Sequence, residues 1–246
     1  MISETLFKRL FHATDITVMT GENLSAKSGL IFDSEWGGYP VSRITTLKTL
    51  KNNPEIFWKY INHIKAKVKA AKPNLGHYSL VDMERFFDVL TVITDNIDGL
   101  HQTAGSKKVL QLNGNVNETY CIECNHIISD TNDSVFSQPI PKCPKCGGLL
   151  RPNIRFTEEE PHGKALKEAQ DNSSFCEVFF LIGISNYKKP ASNMPYISKA
   201  NGSYLIEINE EATELSDTVN EFVRADPSEI LPKIALVMDK LKSKSK

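Results

Sequence analysis

The chain has 246 residues, 40% of them apolar and 24% charged, and its 29 Lys plus Arg against 30 Asp plus Glu leave a net charge of −1. That length supports one large domain, or one domain with a smaller insertion, around a core that needs no disulfide staples. The balanced charge gives no general pull toward nucleic acid or an anionic membrane, so neither is expected as a partner.

In chain order, Met1-Ile2-Ser3-Glu4 lacks the basic-then-apolar layout of a secretory signal. Asp15–Met19 is the first strand-like run and leads into the loop Thr20-Gly21-Glu22-Asn23-Leu24-Ser25-Ala26-Lys27-Ser28-Gly29. Glu55–Ala71 has helical periodicity and ends at Pro73-Asn74. A second strand, Val89–Ile93, runs into Thr94-Asp95-Asn96-Ile97-Asp98-Gly99-Leu100-His101. A third, Val178–Ile182, precedes Gly183-Ile184-Ser185-Asn186, and a fourth, Tyr204–Ile208, precedes Asn209-Glu210-Glu211. The longest apolar run, Val178–Ile184, is far short of the roughly 20 residues of a membrane-spanning helix. Ser228–Lys242 reads as a last helix with Ser228 as its N-cap, before a Lys/Ser-rich tail at Lys240–Lys246 expected to fray. Strands separated by helices imply a parallel α/β sheet covered on both faces, with ligands at the carboxyl ends of the strands. The four polar loops are therefore the informative ones. Taken singly each has a plain alternative: Gly183 to Ser185 as a turn, Asn209 as a cap, Asp98 as a cap on the turn that follows it.

Four of the five cysteines form two tight pairs, Cys121-Ile-Glu-Cys124 and Cys143-Pro-Lys-Cys146, with eighteen residues between them. Each pair turns two thiolates to one side of a loop, and two such turns complete a tetrahedral shell around one Zn²⁺. A closed shell of four thiolates has no open position, so the metal is expected to hold the fold and take no part in chemistry. Disulfides fit poorly with a reducing cytosol, which the absence of a leader suggests. Cys176 reads as buried filler. His77 reads as a helix-start or core residue, and His12, His63, His126 and His162 form no constellation.

Together these pieces resemble the sirtuin (Sir2) family of NAD-dependent protein deacylases. Thr94–His101 is similar to the family's Thr-Gln-Asn-Ile-Asp-Gly-Leu-His, and the zinc knuckles run into Gly147-Gly148-Leu149-Leu150-Arg151-Pro152. Lys72-Pro73-Asn74-Leu75-Gly76-His77 and Gly183-Ile184-Ser185 add to the likeness, which spans nearly the whole chain. The resemblance implies a single domain: a Rossmann-like parallel sheet at about 1–30, 74–119 and 151–246, a helical insertion at about 31–73, and a zinc-ribbon module at about 120–150. It implies NAD as co-substrate, with Gly21, Glu22, Asn23, Ser25, Asp95, Asn96, Asp98, Gly183, Ser185 and Asn209 at the cofactor-binding positions. Asn96, Asp98 and Asn113 occupy the catalytic ones, and an acylated or ADP-ribosylated protein is the implied partner.

The chain departs from the family where chemistry happens. The Gly-Ala-Gly loop reads Gly21-Glu22-Asn23, which adds a side chain and a carboxylate where phosphate meets backbone. Two unit charges ~4 Å apart at an effective dielectric of about 20 repel by roughly 4 kcal/mol, so NAD binding is expected to suffer. The family's loop Gln is Asp95, and the Arg that should follow the first loop is missing from Ile31-Phe32-Asp33-Ser34. The family's His-Gly is Asn113-Gly114, and an amide accepts no proton at neutral pH. Losing a positioned base costs about 10²–10⁴ in rate. The peptide-pairing stretch, apolar in the family, reads Asn153-Ile154-Arg155-Phe156-Thr157-Glu158-Glu159. Weak or absent deacylation follows. The alternatives are protein ADP-ribosylation, which makes different demands on the base, or a non-catalytic nucleotide-sensing or protein-binding platform. A nucleic-acid role for the knuckles is opposed by the acidic Glu158–Glu160.

Overall fold

The computed structural model describes residues 2–129, 133–161, 163–185 and 191–243. Eleven strands are assigned among them: β1 Asp15–Thr20, β2 Glu35–Trp36, β3 Tyr39–Pro40, β4 Val89–Thr94, β5 Val109–Gln111, β6 Gly114–Cys121, β7 Ile127–Ser129, β8 Leu150–Ile154, β9 Val178–Ile182, β10 Tyr204–Asn209 and β11 Glu221–Arg224. Six of them form one parallel sheet in the order β11-β10-β9-β1-β4-β5. Numbered in chain order within the sheet and read from β5, this is 3-2-1-4-5-6, the doubly wound order whose direction reverses between β1 and β9. β1, β4 and β9 are buried along almost their whole length because helices cover both faces.

On one face, Leu6, Leu10, Leu80, Met83, Leu231, Ile234 and Met238 from helices Glu4–His12, Leu75–Met83 and Pro227–Ser243 pack on Val18, Val92 and Phe180. On the other, Ala169 and Met194 from helices Gly163–Phe175 and Met194–Ala200 meet Met19, Ile93, Phe179 and Leu181. A third apolar cluster lies outside the parallel sheet. The helix Pro54–Ala70 buries Phe57, Ile61, Ile64 and Val68, spaced three or four apart on one stripe, together with the flanking Trp58 and Tyr60, in one cluster with Val116, Leu150, Ile154 and Phe156. Val116, Leu150 and Ile154 belong to the antiparallel sheet β7-β6-β8, Phe156 follows β8, and the first cysteine, Cys121, closes β6.

Three sequence expectations shift. Ser228 is not the cap of the last helix: Asp226 accepts from both the Ser228 N–H and its hydroxyl at 2.8 Å, and Pro227 opens the first turn, where its missing N–H costs nothing. Residues 240–243 form that helix's final turn instead of fraying; 244–246 lie outside the described residues. Two short edge strands, β5 and β11, extend the sheet. Among the described residues, no helix is long and apolar enough to cross a membrane.

Candidate functional site

The metal site is the simplest part. The Sγ atoms of Cys121, Cys124, Cys143 and Cys146 lie within 4.8 Å of one another, with separations of 3.5 Å (Cys121 to Cys146), 3.8 Å (Cys124 to Cys143) and 3.4 Å (Cys124 to Cys146). A tetrahedron of zinc–sulfur bonds near 2.3 Å has an edge of about 3.8 Å. The four thiols thus fit Zn²⁺, whereas a disulfide would need about 2.05 Å. Cys121 and Cys143 are buried, and Gly148 lets the second knuckle close, because a Cβ there would fall 3.1 Å from the Cys121 sulfur. Cys176 is separate: it is buried beside the hydroxyls of Ser198 and Ser203, as expected for filler.

A second constellation forms where the sheet order reverses. The turn after β1 is stitched to β9 and the loop after it: Gly21 N–H donates to Ile182 O at 3.0 Å and Asn23 N–H to Gly183 O at 2.9 Å. Both glycines are required by this close approach. A Cβ at Gly21 would lie 2.8 Å from Ile184 Cα, and one at Gly183 (φ +59) would lie 2.6 Å from Leu24 N. Asn209, buried at the end of β10, donates to Ile184 O at 2.8 Å and accepts from Asn23 Nδ2 at 3.2 Å. The side chain of Asn23 therefore reaches across the crevice mouth instead of leaving backbone bare. Glu22 lies at the exposed rim, where its carboxylate accepts from the Ser185 hydroxyl. Solvent there weakens the charge penalty expected from the sequence. Asn186 lies outside the described residues, as does His162.

From the β4 side, Asn96 Nδ2 donates to Gly21 O and to Ser25 Oγ, both at 3.0 Å. Ser25 in turn donates to Asp98 Oδ2 at 2.8 Å, and Leu100 N–H donates to Asp98 Oδ1 at 2.8 Å. Asp98 therefore does cap the next turn, as its sequence context suggests, while also holding Ser25. Burial pushes the Asp98 carboxyl above its ordinary range, opposed by those two hydrogen bonds.

Asn113 follows β5, and its Nδ2 donates to Asp95 O at 2.9 Å and Asp95 Oδ1 at 3.2 Å. With both hydrogens committed, its Oδ1 is left buried and without a partner. A buried acceptor without a donor costs about 1–3 kcal/mol, so this end of the crevice suits a ligand carrying hydroxyls, as NAD does.

Sequence reading missed the polar chain beneath the site. Thr20 and Thr94 are register partners at the ends of β1 and β4; the Thr20 hydroxyl bonds Thr94 Oγ1 at 2.9 Å and His101 Nε2 at 2.9 Å. The ring of His101 lies 4.8 Å from that of His77. His77 sits in the capping box of helix Leu75–Met83, accepting from Asn74 N–H, in keeping with its helix-start reading. Burial pushes His101 down to about 3, with His77 adding to the effect, and pushes His77 down to about 4. Both rings are neutral at pH 7. The signal available in the sequence was the matching threonine closing each strand.

The stretch after Arg151-Pro152, where the resemblance places peptide pairing, is folded back on itself. Arg151 forks onto Glu159 at 2.6 and 2.8 Å and stacks 3.6 Å over Phe156. The N–H groups of Arg155, Phe156 and Thr157 donate to Asn113 O, Glu159 Oε2 and Thr45 O.

The Sir2 family profile matches residues 33–190. The chain is 35% identical over 224 residues to an NAD-dependent protein deacylase of Aquifex aeolicus (strain VF5), covering 89% of this chain and 93% of that one. It is 34% identical over 234 residues to NAD-dependent protein deacylase 2 of Archaeoglobus fulgidus, covering 92% of each. Among solved structures, a Sir2 homologue in complex with NAD superposes with a TM-score of 0.91 at 28% identity, covering 98% of this chain and 95% of that one. A Sir2–p53 peptide–NAD⁺ complex gives 0.86 at 30% identity, covering 95% and 97%.

Proposed function

Because this chain belongs to the Sir2 family, we propose that it takes NAD into the crevice between β1 and β9 and that its protein-lysine deacylation is weak or absent. The observation that carries the second half is Asn113. It stands where the resemblance puts the histidine base; an amide takes no proton at neutral pH, and both its hydrogens already go to Asp95. The closed stretch at 155–159 points the same way, since the N–H groups of Arg155, Phe156 and Thr157 are all engaged within the chain, which leaves none of them to pair with a substrate strand. NAD uptake is supported by the doubly wound strand order, by the tight glycine turns and by the unpartnered Asn113 Oδ1. NAD when bound supplies the activated nicotinamide–ribose bond. Asn96 and Ser25 brace the loop above it, and the zinc module holds β6 and β8 in place.

The test pairs two readouts. With NAD at 100 times its Kd, thermal unfolding should shift by the equivalent of about 2.7 kcal/mol. With an acetyl-lysine peptide added, mass spectrometry should find the deacetylated peptide forming at least about 10²-fold more slowly than with a relative that carries the histidine. A rate comparable to that relative would overturn the impaired reading, and no thermal shift at millimolar NAD would overturn NAD uptake. A second reading, ADP-ribosyl transfer to a protein, is favoured by one observation: the Asp95 carboxylate beside Asn113, a charge that suits cleavage of NAD.

A further inference from the structure

The Asp95–Asn113 contact has the geometry of a small catalytic unit. Asn113 donates both amide hydrogens to Asp95, one to the carbonyl and one to the carboxylate. Turning the amide over would set its oxygen against those two oxygens, so the contact fixes the Asp95 carboxylate and the amide together. Asp95 follows directly on β4, half-buried, next to the Asn96 that bonds Gly21 O, which puts it at the carboxyl edge of the sheet beside the crevice. The neighbouring acidic groups are differently engaged. Asp98 is buried, with both oxygens accepting from Ser25 and Leu100, and Glu22 is at the rim with Ser185. With the peptide edge at 155–157 engaged internally, water is the nucleophile with ready access.

We propose that Asp95, positioned by Asn113, acts as the base for attack of water on NAD, so that this chain hydrolyses NAD to ADP-ribose and nicotinamide without an acyl-lysine partner. The proposal rests on NAD uptake as argued above. In the step, the water oxygen bonds to C1′ of the nicotinamide ribose. The C1′–N bond breaks and its electron pair leaves with neutral nicotinamide. The proton lost by the water passes to the Asp95 carboxylate and then to solvent. An anion near C1′ also offsets the positive charge that develops there as the bond breaks.

The experiment uses the full chain, NAD alone and no peptide, comparing the native protein with Asp95→Asn. The substitution keeps the size of the side chain and an oxygen for the Asn113 N–H, and release is compared with each protein at NAD concentrations that saturate its own thermal shift. Release of nicotinamide and ADP-ribose in equal amounts, followed by chromatography, should fall by about 10²–10⁴-fold. A thermal shift with no release from the native protein, or equal release from Asp95→Asn, would overturn the proposal while leaving NAD uptake standing. No thermal shift and no release would remove NAD uptake and this proposal together.

Discussion

At position 113 the difference between an imidazole and an amide is a difference in what the side chain does with its hydrogens. A neutral imidazole keeps one nitrogen as an acceptor able to take a proton; the Asn113 amide gives both N–H groups to Asp95 and offers a carbonyl oxygen that stays unprotonated. Restoring a histidine alone would leave the crowded turn in place, where Asn23 reaches Asn209 and Glu22 holds Ser185. The combined variant Glu22→Ala, Asn23→Gly, Asn113→His should therefore form deacetylated peptide at least ~10-fold faster than the native chain, a modest part of what a positioned base contributes. Complete failure of the triple variant, with its fold intact, would assign the block to the closed stretch around the Arg151–Glu159 fork.

At the scale of elements, the helix Leu75–Met83 is tied to the sheet through two histidines that burial keeps neutral. In the unfolded chain both titrate near 6.5, while in the fold His77 is held down to about 4 and His101 to about 3. Below pH 6.5 the unfolded state binds more protons, so stability present above that pH is lost as pH falls toward 4. For His77 alone the loss is roughly 3 kcal/mol. His77→Gln keeps an acceptor at the third position of the capping box and removes the titration. Urea unfolding between pH 7 and 4 should therefore show a shallower acid limb for the variant; an unchanged limb would place the acid sensitivity in carboxylates instead. The two rings were not legible as a pair, because their contact joins a helix start to the short helix Leu100–Ala104, 24 positions later, with no periodicity between them. The four long strands of the parallel sheet were legible to within one residue, since strands buried on both faces are rich in Val, Ile, Leu and Phe, with only single polar residues such as Thr17, Thr91 and Glu207 between them. The edge strands β5 and β11 were not, being only three and four residues long. The cysteine ligands could be read in full because their chemistry is written as local spacing. The Asp95–Asn113 contact could not, because only the fold brings those positions together.

For the whole molecule, the division into a parallel core with insertions at about 31–73 and 120–150 is proposed to have an energetic counterpart. The two insertions lie far apart in sequence, yet Ile44, Leu50, Phe57, Trp58, Ile61, Cys121, Cys143, Leu150 and Phe156 belong to one buried cluster. Two of the metal ligands are thus also core residues of that cluster. A structural zinc contributes on the order of 10 kcal/mol in small metallo-domains, far more than the knuckles' own apolar contacts. Removing it should release Cys121 and Cys143 from the cluster and loosen the helix packed on them. Hydrogen exchange after chelation is expected to show residues 54–70 losing amide protection together with 114–154. Val89–Thr94 and Val178–Ile182, whose contacts lie in the other two clusters, should stay protected. Retained protection over 54–70 in metal-free protein would mean that the helical insertion stands on its own packing, and that the metal serves the knuckles alone.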